Sequence, residues 1–282
     1  MNIQSAGRLG NQLFIFGHAL NLQMNTRVRS VTIFADRFHS EINQELLNTF
    51  HYLSNNGVIL SVNNRCGFLL KAIDKLNRHS PRLSKLIRRT LRIETEGMET
   101  LSEDAWIQRG FFQEDLLPEN VLIKMNYVLR EILVNNVSHE SLSQRMPFLD
   151  KGYQAIHMRR TDFFTTEAGV IDPSSQLECL QPDLKVVICT DAAKEEILTK
   201  LNYENFEIIT PNESSAWETL AILSRADSLV MTNSTLSFWA GFIASKEGKT
   251  VWSPSVWNKK SQEPRTLPYI CSNTYNPRFE ES

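Results

Sequence analysis

The sequence predicts an α/β fold in which two Rossmann-like domains face a cleft. Three observations predict it. Short apolar runs alternate with helical stretches along most of the 282 residues, the pattern of βαβ units and a parallel sheet. The run Leu184–Thr190 (LKVVICT) is almost continuously apolar, as strands covered on both faces are. The length suits two compact domains at roughly 100–200 residues each. We place them at 1–137 and 138–282, divided by the polar stretch Ser138–Lys151, with the final residues packing back on the first domain.

Taken in order, residues 1–5 read as a first strand, followed by the glycine-bracketed turn Gly7-Arg8-Leu9-Gly10. A helix is expected over Asn11–Met24, a strand over Val28–Phe34, a helix over Ile42–Leu53 and a strand over Val58–Val62. Residues 65–92 carry six Arg, three Lys and one acid, Asp74, and their apolar positions recur at helical spacing on both sides of Pro81. They read as two basic amphipathic helices. Trp106–Phe112 is a strand, and Pro118 opens a helix through Val134, proline being suited to an early helical position. In the second half, strands are expected at Tyr153–His157, Leu184–Thr190, Phe206–Ile209, Ser228–Thr232 and Lys249–Trp252. Helices fall at Ala192–Leu201, with Asp191 as its cap, and at Ser215–Ser224 and Ser234–Ala244.

Composition narrows the class. With 41% hydrophobic and 22% charged residues the chain is a folded globular protein. A net charge of −2 excludes a chain-wide field for nucleic acid. The segment 65–92 is nevertheless +8. It is either a solvated basic face or a contact with an anionic membrane or a lipid-linked substrate. Scarce aromatics there argue against nucleic acid. Cys66, Cys179, Cys189 and Cys271 have neither CxxC nor zinc-finger spacing and read as reduced thiols. No leader or membrane-spanning pattern is visible, so a cytoplasmic location is expected, with peripheral contact at the inner membrane face through 65–92.

Four constellations carry chemistry. Gly7-Arg8-Leu9-Gly10-Asn11-Gln12 joins a strand to a helix N-terminus, where unpaired N–H groups favour an anion. His157-Met158-Arg159-Arg160-Thr161-Asp162 ends a buried strand. Neighbours in extended chain point oppositely, so one arginine faces a ligand while the other pairs inward, with Asp162 as a candidate partner. Asp191 ends the next strand and suits either a ribose or base edge or a helix cap. Thr232-Asn233-Ser234-Thr235 ends another strand and opens a helix, either a phosphate cradle or a capping motif. Cations, a carboxylate and a helix start at three strand ends make a nucleotide-diphosphate site. No DxD-like metal motif occurs, so arginine and helix dipole are expected to neutralise the diphosphate without a metal.

These residues resemble the α-1,2-fucosyltransferase family, glycosyltransferase family 11. GRLGNQLF is similar to its N-terminal motif, HMRRTD to its HxRRxD motif and TNSTLSFW to its SNSTFSWW motif; RGFFQ (109–113) and PSVW (254–257) are similar to further family segments. The likeness runs from residue 4 to about 258. Departures are Thr161 for a glycine, Ala192 for a second acid after Asp191, and Phe238 for a tryptophan.

The resemblance implies a two-domain GT-B enzyme that transfers L-fucose from GDP-fucose to the 2-hydroxyl of a galactoside, inverting the donor anomer without a metal. It implies Arg159 on the diphosphate, Arg160 and Asp162 bracing the motif, and His157 and Asp191 near ribose or guanine. Asn233, Ser234 and Thr235 would form the phosphate-binding helix start, with Arg8, Gly10 and Asn11 across the cleft. Arg159, Asn11 and Glu167 are the implied catalytic set. Glu167 resembles the position of an acid in α-1,6-fucosyltransferases, and Asp162, Asp36, Glu114 and Asp115 are alternative bases. The acceptor would be a galactose-containing oligosaccharide or lipid-linked glycan in a bacterial cytoplasm. Two other readings stay open: a transferase of the same scaffold with another GDP-sugar or linkage, and a non-catalytic nucleotide- or sugar-binding relative.

Overall fold

The fold is seen in a computed structural model, which describes residues 2–5, 7–28, 31–35, 72–73, 75–95, 107–109, 117–161, 168–201, 206–260, 264, 267, 270 and 272–280. The chain forms two compact units, Met1–Leu129 and Arg130–Ser282. The helix and strand expected at 42–53 and 58–62, and the first basic helix up to residue 71, lie outside the described residues.

The first unit holds a parallel sheet of β1 (Asn2–Ser5), β2 (Thr32–Ala35), β3 (Ile93–Thr95) and β4 (Ile107–Arg109), in the order β2-β1-β4-β3. Helix α1 (Leu9–Asn25) follows β1 and buries residues around most of its circumference, Leu13, Phe16 and Leu20 among them. Pro81 opens α2 (Pro81–Thr90). Helix α3 (Glu119–Asn136) buries Val121, Leu122, Met125, Val128, Leu129, Ile132 and Leu133, a spacing that keeps one face inward along its whole length.

The polar stretch 138–151 is itself folded. Ser138 caps α4 (His139–Arg145) by accepting the Ser141 N–H, and a 3-10 turn follows at Pro147–Lys151. Its few apolar residues, Leu142, Met146, Phe148 and Leu149, all point inward, which outweighs the polar composition.

The second unit holds a six-stranded, all-parallel sheet of β5 (Tyr153–Met158), β6 (Lys185–Thr190), β7 (Phe206–Ile209), β8 (Ser228–Val230), β9 (Thr250–Pro254) and β10 (Asn273–Tyr275). Its order is β10-β9-β8-β5-β6-β7. Counted from β5 this is the 3-2-1-4-5-6 order of a dinucleotide-binding sheet. Helices α5 (Pro173–Leu177), α6 (Lys194–Lys200), α7 (Ala216–Arg225) and α8 (Thr235–Lys246) link the strands.

Both faces of β5 are buried. Ile156 and Met158 join Val186, Ile188, Ile197 and Leu201 in one core layer. On the other face the Tyr153 hydroxyl donates to Ile222 O of α7, and His157 meets the start of α8. Gly241 lets α8 come close: a Cβ there would lie 2.4 Å from Met231 Sδ. Strand β10 has no counterpart in the expected elements, because its sequence, Asn-Thr-Tyr, carries little apolar pattern; it pairs with β9 as Asn273–Trp252, Thr274–Ser253 and Tyr275–Pro254. Among the last described residues, Asn273–Tyr275 thus join the second sheet, and Phe279 makes an isolated antiparallel bridge with Ile171.

Candidate functional site at the strand switch point

From β5 the chain builds outward through β6 and β7, then returns to β8 on the other side of β5. The carboxyl ends of β5 and β8 thus border the crevice where open α/β sheets take ligands. The ladder between them spans Gln154–Ser228 to Ile156–Val230, after which the strands part. The Gln176 side chain bridges the gap, its Nε2 donating to His157 O (2.8 Å) and Met231 O (3.3 Å). The Tyr275 hydroxyl adds a 2.6 Å bond to Met231 O.

His157 ends the buried part of β5. Its Nδ1 lies 2.7 Å from Ser237 Oγ and 3.3 Å from Ser234 Oγ, at the first turn of α8. Ser237 Oγ also accepts the Thr232 N–H, so this hydroxyl links the ring to the turn between β8 and α8. Burial pushes the His157 pKa down to about 4, and the neighbouring Arg159 cation adds to the shift against an opposing pull from Asp191. The imidazole is therefore neutral at pH 7. It ties β5 to α8, whose N-cap Ser234 accepts the Ser237 N–H.

Two residues beyond, Arg159 and Arg160 part company. Arg159 NH1 pairs with Asp191 Oδ2 at 3.1 Å, and its side chain keeps 15% exposure. Arg160, expected among the donor-binding residues, has its guanidinium turned inward at 1% exposure. Its Nε donates to Glu196 Oε1 at 2.6 Å, and NH1 and NH2 donate to the two oxygens of Glu280 at 2.7 and 2.9 Å. Burial disfavours that cation, but the two carboxylates outweigh it and raise its pKa. With these donors engaged by protein, Arg160 braces the loop. Glu196 and Glu280 are among its partners, and the expected partner Asp162 lies outside the described residues.

Asp191 is the hub of this turn. It accepts the Arg160 N–H (2.7 Å), the Thr161 N–H (3.4 Å) and the Thr161 hydroxyl (2.5 Å). Burial pushes its pKa up, yet the Thr161 hydroxyl, Arg159 and the backbone N–H groups hold it below the ordinary carboxylate range. It does not cap the next helix: α6 starts at Lys194, and its N-cap, Ala193, offers no side-chain bond. The carboxylate faces the β5 loop because four donors converge there. Thr161, which stands where the resembled motif has glycine, supplies two of them, and its hydroxyl is one that glycine would lack.

Asn233 is a clasp. Its Nδ2 donates to the carbonyls of Ala168, Gly169 and Trp257, each at 3.1 Å, and its Oδ1 accepts from the Thr232 hydroxyl. It shapes the loops around the start of α8 rather than offering its amide outward. Ser234 and Thr235 stand at the N-cap and first position of α8, where backbone N–H groups carry the positive end of the helix dipole.

In the first unit, Gly7 has φ +75°, and a Cβ there would fall 2.4 Å from Asn11 Nδ2. The turn thus requires glycine and presses Asn11 against it. Gln12 Nε2 closes the turn onto Gly7 O at 3.0 Å. Arg8 is the exposed N-cap of α1, with no side-chain cap bond, and Gly10 lies buried in the first turn. The two constellations sit in separate units, each at the N-terminus of a helix that follows a parallel strand. Glu167 and the alternative bases Asp162, Asp36, Glu114 and Asp115 lie outside the described residues. Among the described residues no cluster of three or more His, Cys, Asp or Glu could hold a metal. Cys179 and Cys189 are buried free thiols whose pKa values burial pushes up to about 11 and about 12.

No protein-family model matches the chain, and no curated protein matches it. Solved structures do. The chain is similar to the fucosyltransferase NodZ from Bradyrhizobium, with a TM-score of 0.50 and 14% identity, over 86% of this chain and 92% of that one. It is similar to the E. coli heptosyltransferase WaaC with ADP, with a TM-score of 0.50 and 10% identity, over 97% of this chain and 92% of that one. At such identities the likeness carries the fold, which is α/β of the Rossmann-like GT-B type. Among the described residues no helix is long and apolar enough to cross a membrane.

Proposed function

We propose that the chain is an inverting, metal-independent glycosyltransferase that moves L-fucose from GDP-fucose to the 2-hydroxyl of a galactoside acceptor. One observation carries the reading: at the switch point of a dinucleotide-type sheet, Arg159 is held by Asp191 and acts electrostatically on His157, whose ring meets the first turn of α8. A partly exposed guanidinium beside a helix start suits a diphosphate, which takes forked N–H donors and a positive dipole end. The motifs around Gly7, His157 and Ser234 add the resemblance to α-1,2-fucosyltransferases. The folds of NodZ and WaaC, named as sugar transferases, agree with it.

In this reading the acceptor oxygen bonds to the fucose anomeric carbon as the bond to the β-phosphate oxygen breaks. GDP departs with the electron pair, and the hydroxyl proton passes to a base, for which Glu167 is the candidate. The transition state is oxocarbenium-like. Charge grows on the β-phosphate, and Arg159 with the N–H groups of Ser234 and Thr235 stabilises it there. Asn11, pressed against the Gly7 turn, keeps the catalytic role that the resemblance implies. Arg160 acts only by fixing the backbone that carries Arg159.

Incubation with GDP-fucose and a panel of β-galactosides, with linkage analysis of the products, tests the proposal. A new α-1,2-fucosyl linkage is expected. Transfer from a different nucleotide sugar, or to a different hydroxyl, would move the chain to the same-scaffold alternative. GDP binding with no transfer to any acceptor would make it a non-catalytic relative.

A further inference from the structure

Helix α2 presents a charged surface that holds none of the residues assigned to the transfer reaction. Its inward side is narrow: Ser84 is fully buried, its hydroxyl 3.5 Å from Ile73 O, with Ile87 and Arg88 half-buried beside it. The opposite side holds Arg82, Lys85, Leu86 and Arg89, all exposed, at the helical spacing that puts them on one face. Leu86 is 60% exposed in the middle of these three cations, and Leu83, one turn away, is 46% exposed. None of the ion pairs among the described residues involves Arg82, Lys85 or Arg89. Helix electrostatics explains cations in the last turn, but Arg82 stands in a first turn that has no acid, where a cation is unfavourable. The preceding helical residues 75–79 add exposed Lys75 and Arg78.

We propose that this face of α2 docks on a bilayer surface carrying anionic lipid headgroups. Cations flanking solvent-facing leucines on a short helix match an interface that is anionic outside and apolar beneath. A nucleic acid fits less well. It needs stacking platforms, and residues 72–95 contain no Phe, Tyr or Trp. The face belongs to the first unit and Arg159, Ser234 and Thr235 to the second, and its test reads vesicle binding and not sugar transfer.

The full chain is sedimented with vesicles of phosphatidylcholine alone and with vesicles of equal parts phosphatidylcholine and phosphatidylglycerol. Binding is expected only to the anionic vesicles and should fall as salt rises. Replacing Arg82, Lys85 and Arg89 together by Gln should weaken it roughly a hundredfold, at about fivefold for each cation. Leu86→Ser should weaken it about tenfold, while Leu198→Ser, an exposed leucine elsewhere, should leave it unchanged. All these positions face solvent, so thermal melts should match the parent; if the triple variant misfolds, Leu86→Ser and the salt series decide alone. No binding to anionic vesicles, or binding that Leu86→Ser does not weaken, overturns the proposal. So does tighter binding to a single-stranded oligonucleotide at the same salt.

Discussion

Glu280 stands 120 residues from Arg160, third from the end of the chain, and no local pattern marks it. Yet its two oxygens receive two of the guanidinium donors, and its own backbone N–H bonds Val170 O while its carbonyl accepts from Lys259 Nζ. Glu280→Ala would take the two-oxygen partner from a cation of 1% exposure, whose other carboxylate partner, Glu196, is 41% exposed to water. Removing one partner of a buried pair costs about 3–5 kcal/mol. For a unit of about 150 residues each kcal/mol moves the melting midpoint by roughly 2–4 °C, so the expected fall is about 10 °C. Glu280→Gln keeps one acceptor and should fall about half as far. The control is the Arg160→Met background, where the same Glu280→Ala change should cost little, because no buried cation remains to be stranded. Calorimetry or dichroism melts of the four proteins complete the cycle. Equal losses in both backgrounds would show that Glu280 acts through the backbone of the tail and not through Arg160, and would refute the reasoning.

Arg159→Ala should lower transfer from GDP-fucose about 10²–10³-fold in kcat with the melting midpoint little changed; Arg159→Lys, which keeps the charge but loses the fork, should recover only part of it. Near-normal turnover in Arg159→Ala would remove this side chain from the site. The His157 pKa of about 4 lies below its unfolded value near 6.5, so the unfolded chain binds the extra proton between these pH values. Stability is full above pH 6.5 and should decline by about 3 kcal/mol as pH falls toward 4; urea titrations of the parent and of His157→Asn should differ by that slope, and parallel pH profiles would count against a neutral buried ring. Gly7→Ala, at φ +75° with Asn11 in the way, should cost more than 1 kcal/mol, read as a lower denaturant midpoint.

What the sequence makes legible follows a physical dividing line. The strands of the second unit carry their own signal, since burial on both faces demands unbroken apolar runs such as Val186–Cys189. Ser234 is readable as a cap because its partner, Ser237, is three residues away. The alternation of side chains forces one of two adjacent arginines inward, which the sequence already states. The identity of the inward one and its partners is not readable, because Glu196 and Glu280 reach Arg160 through tertiary folding. Asp191 shows the same limit. Its place before a helix suggests a cap, but the donors of residues 159–161, thirty residues away in sequence, outcompete the helix start. Gln176 has no local cue at all, and its role exists only where β5 and β8 separate.

The arginine pair makes sense as one device with two faces. The even positions of β5, Ile156 and Met158, join the core layer that contains Ile197 of α6, and Arg160 continues that side to Glu196 on the same helix. The odd positions, Tyr153 and His157, reach α7 and α8, and Arg159 continues that side close enough to His157 to depress its pKa. In the proposed reading, a guanidinium that takes a diphosphate must be rigid in backbone and accessible in side chain. A flexible loop would supply the second property and lose the first. Here Asp191 fixes the backbone N–H groups of both Arg160 and Thr161, and the buried Arg160 anchors the turn from beneath. The cost of burying one arginine with two carboxylates is what leaves its neighbour preorganised, and preorganised charge is what lowers a barrier at which charge develops. Loss of the Arg160 anchor should accordingly reduce kcat while Arg159 itself is intact.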